Sequence, residues 1–275
     1  MKDEAKAMGC NCAQCPLYRE PGPVLPEERS DASLIVVGDA PDDTEVREGR
    51  PFVGAPGRLL HTMLGRAKIR RELVHFTHAV LCQPPNNDMG RVLARIRSKN
   101  AEIRRKNNKI NKEAKKLGRI VLPEDVVPLQ LTPFECCRPR LAKEMAAKPY
   151  ALLAGGGALE TVMGDKVSLQ ALRGSIMDSD LHYDDLKNKL RLGNKGSGNH
   201  TIRVIPIMHP KYVQKNTRWL GTLGGDIDRM GRWMRNALTW KAPRIVYHPQ
   251  PDELREFLNT PQPLIFDVEA DGLSA

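Results

Sequence analysis

The sequence predicts an α/β fold on a central, mainly parallel sheet, with sites at the carboxyl ends of the strands. Three observations carry this. Short continuous apolar runs recur along the chain, as in strands buried on both faces. Stretches with helical spacing alternate with them, the order expected of a parallel sheet. Residues able to do chemistry follow directly after the apolar runs, where open α/β sheets carry their ligands.

Residues 1–30 are rich in Cys, Pro and Glu and read as a loop-rich lead-in. Ser33–Val37 is a buried strand stopping at Gly38. Gly57–Arg66 has helical spacing through Leu59, Leu60, Met63 and Leu64. Leu73–Leu81 reads as the next strand, with Phe76 and Val80 inward. Tyr150–Ala154 is another, followed by Gly155-Gly156-Gly157 and a helix through Leu159 and Val162. Thr201–Met208 is a further strand. Leu220–Trp240 is a helix with Ile227, Met230, Trp233, Met234 and Leu238 on one side. Two segments interrupt the alternation. In an insertion at about 89–131, Ile96, Ile103, Ile110 and Leu117 recur at seven-residue steps. They form one narrow apolar stripe on an otherwise cationic helix or helical hairpin. Arg191–His200 is rich in Gly and Asn and reads as a loop or hairpin tip. After Lys241-Ala242-Pro243 the pattern restarts, with a strand at Arg244–Tyr247, a helix at Pro251–Leu258 and a strand at Leu264–Val268. The expected division is one α/β domain over 1–241 and the start of a second over 242–275, truncated at Ala275.

The chain has 275 residues and is 40% hydrophobic, enough to bury a large core, and with 5% aromatics that core is mainly aliphatic. No stretch approaches the ~20 apolar residues that span a bilayer. The charged start, Met-Lys-Asp-Glu-Ala-Lys, lacks the apolar segment of a secretory signal. A cytoplasmic protein with no membrane partner is expected. Six cysteines then point to metal binding or catalysis before disulfides. The formal net charge is +10, and residues 91–119 alone hold twelve basic and two acidic side chains, an excess equal to that of the whole chain. Such a block suits phosphates or an acidic surface.

Cys12-Ala-Gln-Cys15 places two thiols in one tight loop, Cys82 ends a strand and Cys137 opens a helix. Four thiolates from three loops hold a tetrahedral zinc or a 4Fe–4S cluster. Singly, Cys82 and Cys137 read equally as small buried hydrophobes. Gly38-Asp39-Ala40-Pro41-Asp42-Asp43-Thr44-Glu45 runs a strand into a turn loaded with carboxylates, which either holds a water or ligand at the sheet edge or is an acidic surface turn. In Gly49-Arg-Pro-Phe-Val-Gly54, Phe52 is either a stacking ring or a core residue. His209 follows a strand, placed to donate to a developing anion or to serve structure alone.

Together these segments resemble the family 4 iron–sulfur uracil-DNA glycosylases. The family pattern runs CxxC; strand then Gly-Glu-(Gly/Ala)-Pro-Gly; Gly-x-Pro-Phe-Val-Gly; strand then Asn-x-x-x-Cys-x-Pro-Pro; Glu-x-x-Cys-x-Pro-x-Leu; Leu-Gly-x-x-Ala; Leu-Arg-Gly; and His-Pro. In the same order this chain has Cys12/Cys15, Gly38-Asp-Ala-Pro-Asp42, Gly49-Arg-Pro-Phe-Val-Gly54, His78-Ala-Val-Leu-Cys82-Gln-Pro-Pro85, Glu135-Cys-Cys137-Arg-Pro-Arg-Leu141, Gly155-Gly-Gly-Ala158, Leu172-Arg-Gly174 and His209-Pro210. The resemblance implies a three-layer uracil-DNA-glycosylase-like sandwich that binds DNA. It implies a 4Fe–4S cluster on Cys12, Cys15, Cys82 and Cys137, with Cys137 preferred to Cys136 because it directly precedes Arg138-Pro139. It also implies that Phe52 stacks on a flipped-out uracil, that His209 stabilises the uracil anion and that Asp39 orients water. Ala40, Glu45, His78 and Asn87 fall at base-contacting positions.

Among the departures from the pattern, Asp39 stands for Glu, Asp42 for Gly and His78 for Asn. An Asn offers a base edge an acceptor and a donor, which a neutral His presents in another geometry. A further departure is the spacing of 54 residues between Cys82 and Cys137, which holds the cationic stripe. Arg95, Arg104, Arg105, Lys109, Lys112 and Lys116 are expected on the DNA backbone, adding affinity without sequence preference. Leu264-Ile-Phe-Asp267-Val-Glu269-Ala-Asp-Gly272 looks like the first motif of a DnaQ-like 3′–5′ exonuclease domain, with Asp267 and Glu269 on one strand face as metal ligands. A divalent metal is expected only in a full-length exonuclease domain, since the partner carboxylates would lie beyond Ala275. The whole is similar to the front of certain bacteriophage family A DNA polymerases, placing it in a host cytoplasm, with other replication proteins as possible partners. The expected function is excision of uracil or a related base from DNA. The alternative is an inactive DNA-binding or base-sensing module.

Overall fold

The computed structural model describes residues 2–29, 31–163, 167–184, 189–193 and 200–238, with 251, 252, 255 and 259 beyond them. The chain divides into two units, Met1–Leu238 and Thr239–Ala275. The strands expected at Arg244–Tyr247 and Leu264–Val268, most of the Pro251–Leu258 helix, most of the Arg191–His200 loop, and Asp267 and Glu269 lie outside the described residues.

In chain order the elements are α1 (Lys2–Ala7), β1 (Leu34–Gly38), α2 (Asp43–Glu48), α3 (Gly54–Arg66), β2 (Val74–His78), α4 (Met89–Lys116), α5 (Pro133–Ala146), β3 (Tyr150–Ala154), α6 (Gly156–Met163), α7 (Leu169–Leu172), β4 (Met177–Asp184), β5 (Lys189–Gly193), β6 (Thr201–Ile207), α8 (Pro210–Lys215) and α9 (Leu220–Met234). The sheet order is β2-β1-β3-β6-β4-β5. β2, β1, β3 and β6 are mutually parallel, and β4 and β5 add an antiparallel edge.

Alternate side chains of each strand face opposite sides, and both sides are covered. Ile35, Val37, Ala151, Leu153 and Val204 pack with Leu141 and Met145 of α5 and Leu159 and Val162 of α6. Val36, Phe76, Leu152 and Ile205 pack with Leu60 and Leu64 of α3 and Ile227 and Met230 of α9. Helices on both faces of a mostly parallel sheet make a three-layer α/β sandwich. Among the described residues no helix is long and apolar enough to cross a membrane.

Several expectations from the sequence need correction. The lead-in carries helix α1, too short for any periodicity to reveal. The strand expected over Leu73–Leu81 ends at His78, and the helix expected to reach Trp240 ends at Met234. Of the two forms expected of the basic block, it takes the first, one 28-residue helix, α4. Ile96 and Ile103 are buried in its stripe, but Leu117 lies past its end and is 80% exposed.

A return segment packs beside α4. Asn100 exchanges two hydrogen bonds with the backbone of Gln130 (2.8 and 2.9 Å), and Asn107 does the same with Val127 (3.0 and 2.9 Å). Seven helical residues climb about 10 Å, as do three extended ones, so the two pairings stay in register.

Candidate functional site

The four parallel strands end at one edge, and each delivers a residue there. Gly38 and Asp39 close β1, His78 closes β2, the glycines 155–157 follow β3, and His209 follows β6. This carboxyl edge is where open α/β sheets bind ligands.

Asp39 Oδ1 accepts the backbone N–H of Ala158 at 2.7 Å, in the first turn of α6. The glycine loop makes this approach possible: a Cβ on Gly155, whose φ is +112°, would stand 2.5 Å from Asp39 Oδ2. Asp42 caps α2, accepting from Thr44 and Glu45 N–H, and its other oxygen takes Lys211 Nζ at 3.2 Å. Its charge is thus spent on a helix cap and an ion pair.

Glu45 is buried and completes the capping box with Asp42. Its Oε1 accepts both the backbone N–H of Phe52 (2.6 Å) and Nε2 of His78 (3.1 Å), and its Oε2 accepts Asp42 N–H (2.9 Å). Burial pushes the Glu45 carboxyl up, but the attraction and hydrogen bond of His78 and the two backbone donors hold it below the usual range. One carboxylate therefore positions both Phe52 and His78. Phe52 has φ of +51°, and its ring contacts Phe76 (centroids 5.7 Å apart, tilted 54°) and His78 (5.0 Å apart, 24° from parallel).

An open cleft of about 580 Å³ lies at the same edge. It is lined by Asp39, Ala40, Pro41, Asp42, Pro84, Asn86, Asn87, Met89, His209, Lys211, Tyr212 and Lys215. Asn87 donates to Asp43 Oδ2 at 2.6 Å, and Gln83 bridges both residues. His209 Nδ1 accepts the backbone N–H of Lys211 at 3.2 Å. In the neutral ring this leaves the proton on Nε2, which is then a donor. Burial lowers the His209 imidazole below its ordinary range and raises the Asp39 carboxyl above its own, while their mutual attraction opposes both shifts.

On the other face of the sheet all six cysteines line one small cavity with Lys2, Ala5, Tyr18 and Leu81. Among the described residues no three Cys, His, Asp or Glu side chains close on a point as they do around a single metal ion. A hydrogen bond from the Cys10 thiol, helped by the Arg140 charge, lowers the Cys137 thiol to about 6 against the effect of burial. A hydrogen bond from Cys136 likewise lowers Cys15, and burial pushes Cys82 up to about 11. Lys2 Nζ lies 3.1 Å from Cys82 Sγ. The cavity is tied to the carboxyl edge by Arg140, three residues beyond Cys137. Its guanidinium donates to Thr77 Oγ1 (2.7 Å), to the carbonyls of His78 (2.6 Å) and Ala79 (3.2 Å), and to Glu144 (2.8 Å).

The pattern of the uracil DNA glycosylase superfamily matches residues 26–225, which include the whole cleft. The chain belongs to this superfamily. The type-4 uracil-DNA glycosylase of Thermotoga maritima is 29% identical over 208 residues, 74% of this chain and 79% of that protein. That of Pyrobaculum aerophilum is 44% identical over 78 residues, 28% of this chain, and that of Archaeoglobus fulgidus 40% identical over 78 residues. The matched segment spans only 40% of the Pyrobaculum relative and 39% of the Archaeoglobus one.

In this superfamily member the structure gathers Asp39, Ala40, Asn87 and His209 around the cleft, and sets Glu45, Phe52 and His78 behind it. Cys12, Cys15, Cys82 and Cys137 meet at one cavity, but so do Cys10 and Cys136. Arg95, Arg104, Arg105, Lys109, Lys112 and Lys116 are all exposed on α4, away from the isoleucine stripe. Sequence reasoning missed Lys211 and Lys215. A lysine beside a strand-end histidine reads as ordinary surface, and only the turn of α8 brings both to the cleft wall. It also missed Arg140, whose partners are more than sixty residues away in sequence apart from Glu144.

Proposed function

We propose that the chain is a DNA-binding domain that flips a uracil-type base into its cleft and hydrolyses the N-glycosidic bond. The observation carrying this is the convergence of four strand ends on one cleft, with a neutral His209 whose Nε2–H is free to donate. The leaving base gathers negative charge, and a fixed donor in a desolvated site lowers the barrier. Asp39, held on the first turn of α6, orients the attacking water. Ala40 and Asn87 line the entrance, and Glu45 acts through Phe52 and His78. The test is release of uracil from a single-uracil duplex, with His209→Ala as the control that must lose it. One observation favours the second reading, a base-sensing module: Phe52 is buried, with His78 stacked on its ring.

The cysteine cavity suits a 4Fe–4S cluster on Cys12, Cys15, Cys82 and Cys137. Support for the assignment is the meeting of these thiols at one cavity. Bound there, the cluster supplies a structural crosslink between the N-terminal loop, the chain after β2 and helix α5. Protein purified without oxygen is expected to be brown, absorb near 400 nm and carry about four irons per chain; Cys82→Ala is expected to lose most of that iron. Colourless protein with one zinc per chain would overturn the cluster assignment.

Helix α4 begins at the cleft wall with Met89 and runs for 28 residues, about 42 Å. That length spans roughly twelve phosphates of one DNA strand. Its cations, with Lys211 and Lys215 at the cleft, fit a duplex backbone leading to the flipped base. Replacing Arg104, Arg105, Lys109 and Lys112 with alanine is expected to reduce the slope of log affinity against log salt by about 3–4, measured by anisotropy titrations. An unchanged slope would remove α4 from the interface.

The segment after 242 extends the proposal. Asp267 and Glu269, after an apolar run, support the start of a DnaQ-like exonuclease domain in a phage-type DNA polymerase. Domain boundaries at 1–241 and 242–275, with the insertion at 89–131, belong to this reading.

A further inference from the structure

We propose that His78 closes the base pocket from within, so that its imidazole must leave the face of Phe52 before an extrahelical pyrimidine can enter. The inference rests on the glycosylase reading and concerns the regulation of that same site.

The His78 imidazole lies against the Phe52 ring, with centroids 5.0 Å apart and planes 24° from parallel, and Phe76 meets the ring tilted by 54° at 5.7 Å. Phe52 is 3% exposed and His78 1%. The open cleft reaches Asp39, Ala40 and His209 and stops short of both rings. The backbone of Gly38 shuts the remaining side: a Cβ there would stand 2.5 Å from His78 Nδ1 and 2.9 Å from Phe52 Cζ.

The closed arrangement is held by one group and opposed by another. Glu45 Oε1 binds His78 Nε2 and Phe52 N–H together, locking the two rings as a unit. Against this, His78 Nδ1 is buried and has no hydrogen-bond partner among the described residues. An unpaired buried polar atom costs free energy of the same order as a hydrogen bond to a charged group contributes. Turning the ring out would break the Glu45 bond and hydrate Nδ1, so the second change offsets part of the cost of the first. A shorter side chain at position 78 has no ring to lay over Phe52 and leaves the stacking face open.

The test uses the 275-residue chain and a duplex carrying one uracil next to 2-aminopurine, whose fluorescence rises when its neighbour leaves the stack. Wild type is compared with His78→Asn and His78→Ser, with thermal melts showing which variants are folded. Opening the pocket is expected to raise both excision rate and 2-aminopurine signal at least about tenfold over wild type. His209→Ala added to His78→Asn is expected to abolish excision and keep the fluorescence rise. Wild type that excises or flips as well as the folded variants overturns the gate and leaves the glycosylase reading standing. A folded His78→Asn or His78→Ser variant with His209 intact that flips without excising supports the gate and sinks the glycosylase reading. No flipping by any folded protein overturns the gate.

Discussion

Replacing Arg140 with leucine is expected to lower stability by about 3–5 kcal/mol, the range for breaking a buried ion pair from one side. Arg140 is fully enclosed and its guanidinium serves three oxygens besides Glu144. Burial works against its charge, but the attraction of Glu144, Cys137 and Cys10 prevails. Leucine leaves the Glu144 carboxylate with His75 alone and strands the carbonyls of His78 and Ala79. Lysine cannot bridge all four acceptors, so Arg140→Lys is expected to fall between leucine and wild type. Urea melts of Arg140→Leu, Glu144→Leu and the pair measure the coupling; the double variant should lose less than the sum of the two singles. A loss below about 1 kcal/mol for Arg140→Leu would show that the guanidinium is dispensable.

His209→Ala is expected to lower the excision rate about 10²–10³-fold, the usual cost of removing one preorganised donor from a developing anion. The effect should fall on the single-turnover rate and leave DNA affinity unchanged, because the interaction forms only as charge develops. It should appear in wild type and in the faster His78→Asn background alike. Since burial keeps the imidazole below its ordinary pKa, the ring is neutral at and above neutral pH and the rate should not fall there. An equal loss of DNA affinity would assign His209 to binding.

The parallel core was the most legible part of the sequence. Tyr150–Ala154 is β3 residue for residue, β1 is shifted by one residue at both ends, and β6 is one residue shorter than expected. Strands covered on both faces must be apolar throughout, which leaves little ambiguity. The antiparallel edge was not legible. Met177–Asp184 mixes Met, Leu and Tyr with three aspartates, and its residues are mostly half-buried, so neither strict alternation nor a continuous run marks it. Two helix starts were readable from local chemistry: Asp42-x-x-Glu45 and Thr132-x-x-Glu135 both form capping boxes. The acidic turn drew attention as a ligand site instead, hiding the structural use of Asp42. Glu45 shows the limit of sequence reading. Its side-chain partner His78 lies 33 residues away, and nothing local reveals that one carboxylate supports two rings.

The asparagine pairing along α4 makes the reach of this arm a matter of whole steps. Asn100 and Asn107 grip the returning backbone at Gln130 and Val127, so seven residues outward are matched by three on the way home. Adding or removing residues on one limb alone throws the second grip out of phase. Changing both limbs in that seven-to-three ratio lengthens or shortens the arm by about 10 Å and keeps the remaining grips intact. The insertion thus works as a ruler with a fixed graduation, its length set in steps of about 10 Å.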